Sequence, residues 1–466
     1  MSEGKTLRQS NRENMMLNDS LSRVIFKMAY PTIIAFLITS IYSMADIYFV
    51  SSLGTNATAA VSVNSSLDSL IMVAGSLFAV GASSYVARLL GAGNRERASQ
   101  TLSSSFFFAM ALGAVIMILG ICFRKPMVRL FGATETCEKY AMDYASYVLY
   151  AAPFMAANFV MNQCLRSEGS ALYSMIGMGI GGVINCFLDP VFILPWGLDM
   201  GVAGASLATA LSKLISFAVL LFPYIRGHSL LKLSIMNVIF DPGMIREVIS
   251  VGSSSMFRTL LNILSGILIN KEAGLISDAA LASIGVTNRC MMFCFSIILG
   301  FGSGFQPVAG FNWGAKRYDR VRESFRFSSR TAFLGGGIMG LVMFLFAPQI
   351  IGWFSSGDPE LIRLGTLCIR MQAAALPIHA WVAIVNHLAG GLGKAKIALL
   401  LATARQGTCF IPVLYPMSRI FGAEGIASVQ AVADLLTLAL AIPAMVSLNK
   451  MINAAEAEDK EPVEHY

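Results

Sequence analysis

Charge is scarce in this sequence. Asp, Glu, Lys and Arg together make up 13% of its 466 residues, about half the share usual in soluble domains. With 56% hydrophobic residues and a mean hydropathy of +0.66, a water-soluble globular protein is excluded. Eight cysteines are present but no CxxC pair, which leaves packing as their role and removes redox and zinc-ribbon readings. There is no Walker motif, so ATP is not the expected energy source, and no heptahelical histidine–lysine pattern. No serine nucleophile setting occurs either, and the chain is read as a non-enzyme that needs no cofactor. The first 23 residues lack the basic start, apolar middle and small-residue cleavage site of a secretory signal, so the first apolar run is expected to stay as an anchor.

What the sequence has instead is long apolar runs. About 20 such residues cross a bilayer as a helix, and twelve spans are predicted: 24–50, 62–88, 99–123, 140–164, 170–195, 201–224, 246–270, 280–308, 325–349, 361–388, 396–418 and 424–448. The fold class is therefore all-α and integral to the membrane. Most Lys and Arg residues, including Lys316, Arg317, Arg320 and Arg322, fall on the side of the even-numbered loops and both termini, which makes that side cytoplasmic. The loop carrying Arg124, Lys125, Arg129 and Lys139 runs against this trend. A net charge of +7 held in short inner loops is explained by the inner membrane surface, and a nucleic-acid partner is discarded.

The two halves repeat at an offset of 221 to 224 residues. Ala60-Val61-Ser62-Val63 answers Ala282-Ser283-Ile284-Gly285-Val286, Gly93 answers Gly314, Pro126 answers Pro348, Pro153 answers Pro377 and Gly169 answers Gly393. Gly201-x-x-Gly204 likewise answers Gly422-x-x-Gly425. Six spans per repeat send both halves across in the same direction, related by a pseudo-two-fold axis along the membrane normal, with a cleft between them. This divides the chain into an N-terminal tail (1–23), an N-lobe (24–225), a linker (226–245), a C-lobe (246–449) and a C-terminal tail (450–466), expected to act as a monomer.

An ionisable group at membrane depth costs several kcal/mol unless it faces protein, water or a partner. Asp46, Asp189 and Thr209 fall at similar depths, roughly 6 to 12 Å below the outer end at 1.5 Å per residue. Asn185 lies one turn before Asp189, and Pro190 frees the carbonyl of Cys186. Two acids, an amide and a hydroxyl suit Na⁺, and two acids at low dielectric equally suit a shared proton. The plainer reading makes Asp46 a cap and Asp189 the start of a turn. In the second half, Asp434 is expected to pair with Arg405 as a buried strut, whereas Lys213 has no evident partner. Arg289 and Gln163 are further polar candidates for a substrate cavity or a structural role. His379 and His387 share one face of span ten, with a structural role expected.

The stretches Tyr30-Pro31-Thr32, Asp46-Ile47-Tyr48-Phe49-Val50-Ser51-Ser52-Leu53-Gly54 and Arg88-Leu89-Leu90-Gly91-Ala92-Gly93-Asn94 resemble the opening third of multidrug and toxic compound extrusion (MATE) transporters. Leu188-Asp189-Pro190 and Gly201-Val202-Ala203-Gly204-Ala205-Ser206-Leu207-Ala208-Thr209-Ala210 resemble the fifth and sixth helices of the DinF and MepA-like branches. The resemblance runs from about residue 24 to 450. It implies two six-helix bundles around a cleft, and export of cationic or amphipathic compounds against Na⁺ or H⁺. It places the cation site on Asp46, Asn185, Asp189 and Thr209. A branch with C-lobe acids would need carboxylates near Asn262 and Trp381, which this chain lacks, so coupling is expected in the N-lobe alone. A flippase of the same architecture would need a basic cleft, for which Arg258, Arg289 and Lys213 are the available residues.

Overall fold

The computed structural model describes residues 12–51, 53–135, 137–194, 197–355 and 358–460, and every regular element among them is helical. A short helix α1 (12–18) precedes α2 (Leu21–Ser51), α3 (Thr55–Gly91), α4 (Arg95–Cys122), α5 (Arg124–Leu130), α6 (Glu138–Ser167), α7 (Ala171–Ile193) and α8 (Gly201–Ile225). The second half holds α9 (Pro242–Ile276), α10 (Asp278–Gly314), α11 (Tyr318–Phe354), α12 (Pro359–Gly391), α13 (Ala395–Thr403) and α14 (Phe410–Lys460).

Eleven helical runs among the described residues are long and apolar enough to cross a membrane, the last of them, Ala395–Lys460, being 66 residues long. That run holds two crossings. Arg405 and Asp434 meet at 2.6 Å, whereas 29 residues of unbroken helix would hold them about 43 Å apart. The reversal lies at Gly422, whose φ of 56° is open to glycine without strain. Twelve crossings result, in two groups: α2 to α8 pack mainly with one another, and so do α9 to α14.

The repeat is visible in backbone angles. Gly169 and Gly393 have φ of 79° and 73°, and Gly201 and Gly422 have 55° and 56°, so the same turns are built twice. One pairing changes: Gly314 ends α10 as Gly91 ends α3, so it answers Gly91 rather than Gly93. The true counterpart of Gly93 (φ 77°) is Lys316, a rare non-glycine residue at positive φ (58°).

The two groups touch along a seam on the side that carries the termini. There α3 crosses α9 and α10, and α10 crosses α2. Gly81 lies against the carbonyl of Val248, Gly252 against that of Leu77, Gly91 against that of Phe311 and Gly314 against that of Arg88. A Cβ at any of the four would collide with facing backbone, so only glycine permits this approach. Arg88 adds an ion pair to Glu247 at 2.7 Å. Helix α1 bridges the same edge: Glu13 pairs with Arg95 at 2.7 Å, and Arg320 donates to the Asp19 carbonyl at 2.9 Å. Farther from the termini, Ser40 and Ser296 share a hydrogen bond of 2.7 Å across the seam. Beyond it, α2 exposes Ile41 and Tyr48, and α3 exposes Leu70.

The basic loop that defied the charge asymmetry folds as α5. Its Lys125 and Arg129 both pair with Glu138 at the start of α6, which neutralises part of the excess. All eight cysteines are unpaired. Of the glycines at 335 to 337, only Gly336 lies tightly against α12, where it meets Ala380 and Leu376.

Candidate functional site

Helices α2, α3, α6, α7 and α8 enclose a polar cluster in the half of the first bundle away from the termini. Asp189 is fully buried in the last turn of α7, and the helix continues through Pro190 to Ile193, so Asp189 does not begin a turn. Asp46 lies within α2 and caps nothing. The Asn185 amide donates to Asp189 Oδ1 at 3.2 Å and to Thr209 Oγ1 at 3.4 Å, which ties α7 to α8. The Tyr144 hydroxyl of α6 sits beside Thr209. Asp46 stands close enough to Asp189 for their charges to interact.

Sequence reasoning missed Asp68 of α3. It interacts electrostatically with Asp46 on one side and Lys213 on the other. The signal was available: Asp68 stands inside predicted span 62–88, with Asn64 one turn before it as Asn185 stands before Asp189. The apolar run starting at Ser69 drew the span's centre past it. Lys213 is not partnerless, as its position suggested. Its Nζ donates to the Tyr42 hydroxyl at 3.1 Å and lies 5.0 Å from the centre of that ring.

Four buried acceptor oxygens in or beside this cluster have no hydrogen-bond donor: Asp46 Oδ1, Asp68 Oδ1, Asn185 Oδ1 and Asp189 Oδ2. Buried acceptors are nearly always satisfied, so a concentration of four calls for a donor or a positive charge. Among the described residues no three His, Cys, Asp or Glu side chains converge on one metal point. A bound cation would therefore draw on at most two carboxylates together with the Asn185 and Thr209 oxygens.

The second bundle is different. A cavity of about 650 Å³ lies among α9, α10, α12, α13 and α14, touched from the first bundle by Met72. Between α13 and α14 the chain forms a π-helical segment, Ala404–Thr408, closed by Cys409 N–H donating to the Ala404 carbonyl at 2.9 Å. Such widened turns are frequent at functional sites, and this one delivers Arg405 and Gln406 to the cavity wall. Arg405 Nε donates to Asp434 Oδ1 at 2.6 Å, while its guanidinium lies 4.8 Å from the centre of the Phe295 ring. His379 and His387 line the cavity too, and His387 Nδ1 is engaged with the Ala383 carbonyl at 2.7 Å. Asn262 lines the wall as an uncharged amide.

Arg289, exposed on α10, and Gln163, half-buried on α6, are not part of that wall. Lys213 belongs to the first bundle, Arg258 to the second cavity and Arg289 to neither, so the three cations of a basic cleft do not converge.

The MatE family model matches residues 31–191 and 254–416, one segment per repeat. The multidrug export protein MepA of Staphylococcus haemolyticus is 26% identical over 439 residues, covering 94% of this chain and 96% of that protein. MepA of Staphylococcus aureus is 25% identical over 405 residues, covering 87% and 89%. Among solved structures, an outward-facing multidrug resistance MATE family transporter of the MOP superfamily superimposes with a TM-score of 0.88 at 23% identity, over 96% of this chain and 98% of that one. A MATE in complex with MaL6 gives 0.88 at 22% identity, over 95% and 99%.

Proposed function

Because this chain belongs to the MatE family, as a multi-pass transporter of the MepA and DinF-like kind, we propose that it exports amphipathic organic compounds, cations included, in exchange for Na⁺ or H⁺. The observation that carries the coupling half of this reading is the group of four donorless oxygens on Asp46, Asp68, Asn185 and Asp189. They occupy the lobe half away from the termini, which on this reading is the side from which a cation enters.

In the proposed cycle a cation enters from outside and neutralises Asp46 and Asp189. Neutralisation removes the charge repulsion that holds the cluster apart, and the first lobe repacks. The glycine seam on the side of the termini, which we place in the cytoplasm of a cell's inner membrane, then parts as the outer side closes. The cation leaves inward and substrate takes its place from the cytoplasm or the inner leaflet. Each net charge moved inward per cycle gains about 2.3 kcal/mol per 100 mV, enough for a substrate gradient of tens-fold per net charge, since about 1.4 kcal/mol is tenfold. One chain supplies both lobes, so a monomer suffices.

The test is transport by the reconstituted protein. Ethidium efflux is followed under an imposed Na⁺ gradient, then an imposed pH gradient, in the wild type and in Asp189→Asn. Uphill efflux under one gradient, lost in Asp189→Asn, supports the reading and names the ion. Uphill efflux that survives the substitution removes Asp189 from coupling, and no efflux under either gradient removes the antiporter reading itself.

A further inference from the structure

The wall of the second-bundle cavity contains two arginines and two histidines and no carboxylate. The arginines are not equivalent. Arg405 is spoken for: Asp434, only 4% exposed, takes its Nε at 2.6 Å and faces it with both oxygens. Arg258, on α9, has no such partner. Among the described residues no Asp or Glu pairs with it, and its hydrogen bond goes to the neutral hydroxyl of Ser255, one turn back, at 3.1 Å. Arg258 lines the cavity, and among the described residues its guanidinium makes no other hydrogen bond.

An unneutralised guanidinium at membrane depth costs several kcal/mol unless something repays its lost hydration. We propose that the cavity is a binding site for organic anions, specifically aromatic carboxylates, with Arg258 as the residue that receives the carboxylate. The planar fork of a guanidinium matches two carboxylate oxygens at once, which a lysine does not. The rest of the wall suits the remainder of such a molecule. Phe295 is held between the Arg405 guanidinium at 4.8 Å and the His379 ring at 5.2 Å, in an edge-to-face arrangement, and offers a fixed aromatic surface. His379 Nδ1 is buried with no partner and is available to a polar substituent. A volume of about 650 Å³ is that of a pocket for a drug-sized ligand. The proposal rests on the chain being an exporter and names a substrate class for it: molecules whose negative group enters the second lobe while the coupling cation is held in the first.

The experiment is equilibrium binding in detergent, with no gradient, of three isosteric probes: naphthoate, uncharged naphthamide and the naphthylmethylammonium cation. Calorimetry on the wild type should give saturable naphthoate binding at least about tenfold tighter than either other probe, about 1.4 kcal/mol. Arg258→Gln should remove that preference and leave naphthamide binding unchanged, and Arg258→Lys should restore part of it. Should Arg258→Gln fail to fold, Asn262→Asp keeps the arginine and places a carboxylate one helical turn away on the cavity wall. It should abolish naphthoate binding by occupying the guanidinium from within. Equal binding of naphthoate and naphthamide by the wild type overturns the proposal, as does naphthoate binding that survives Arg258→Gln or Asn262→Asp. Naphthoate bound through Arg258 in a protein that moves neither ethidium nor naphthoate under any gradient would overturn the exporter reading and leave the anion site standing.

Discussion

The two bundles arose from one plan and carry opposite electrical characters. The first gathers Asp46, Asp68 and Asp189, with one lysine on the far side of Asp68 and four oxygens left without donors. The second gathers Arg258, Arg405, His379 and His387 around a cavity with no acid in its wall. The inversion reaches single positions: Lys213 in α8 answers Asp434 in α14, and each has found a different local partner, a tyrosine hydroxyl in one case and an arginine in the other. Duplication thus preserved backbone turns and helix crossings while the polar residues inside were free to change sign. On the proposed exchange, a pair of lobes with opposed fields would give each species its own compartment, which a symmetric pair would not.

The largest effects should separate two buried acids, one from each bundle. Asp189→Asn is expected to reduce gradient-driven export to background with little change in thermal stability. Asp434→Asn should do the reverse in kind: it strands Arg405 and destabilises the protein by about 3–5 kcal/mol, read as a lowered melting temperature in detergent. A stable Asp434→Asn protein with lost transport would make Asp434 part of the transport machinery and dissolve the contrast.

Lys213→Met tests the balance within the first cluster. Removing the cation beside Asp68 should tighten binding of the coupling ion about tenfold, about 1.4 kcal/mol, and slow its release. Unchanged ion affinity in direct binding measurements would mean that the Tyr42 contact is purely structural.

The smallest expected effect concerns pH. Glu168, just past α6, is 1% exposed and accepts from Ser229 Oγ at 2.6 Å and Leu230 N at 2.7 Å, which docks the linker onto the first bundle. Its counterpart in the second repeat is Leu392, buried and apolar. Burial pushes the Glu168 carboxyl up to about 7. An acid with a raised folded-state value stabilises fully below its ordinary range near 4.5, and that contribution is lost as pH rises through about 7. Amide exchange at residues 229–231 should therefore quicken between about pH 5 and pH 8 in the wild type. The same amides in Glu168→Gln should show no step beyond the intrinsic pH dependence of exchange, and a step that persists would assign it to another group.

Much of this was legible beforehand, and the misses have physical causes. Twelve spans, the internal repeat and the grouping of Asn185, Asp189 and Thr209 all follow from hydropathy and helical phase, which are properties of one chain segment at a time. Asp68 was passed over because averaging hydropathy along α3 hides one acid at the edge of a long apolar run. The partner of Lys213 was invisible because Tyr42 is 171 residues away, and nothing local to α8 points to it. The cavity behind Arg258 depends on a π-helical turn at Ala404–Thr408, and no spacing rule in the sequence announces a turn one residue wider than its neighbours.

The seam of four glycines has a practical corollary. Since Gly81, Gly252, Gly91 and Gly314 bring main chain against main chain, the separation of the bundles there is set by atoms that carry no rotatable bond. Side chains of graded size at these positions then work as a set of shims. Alanine, valine and leucine at Gly252 would hold this edge apart by increasing steps, and on the proposed cycle each step would bias the resting shape further toward the form open on the side of the termini. Distance measurements between spin labels on α3 and α9 would turn that series into a calibrated scale of how far the gate must part before transport begins.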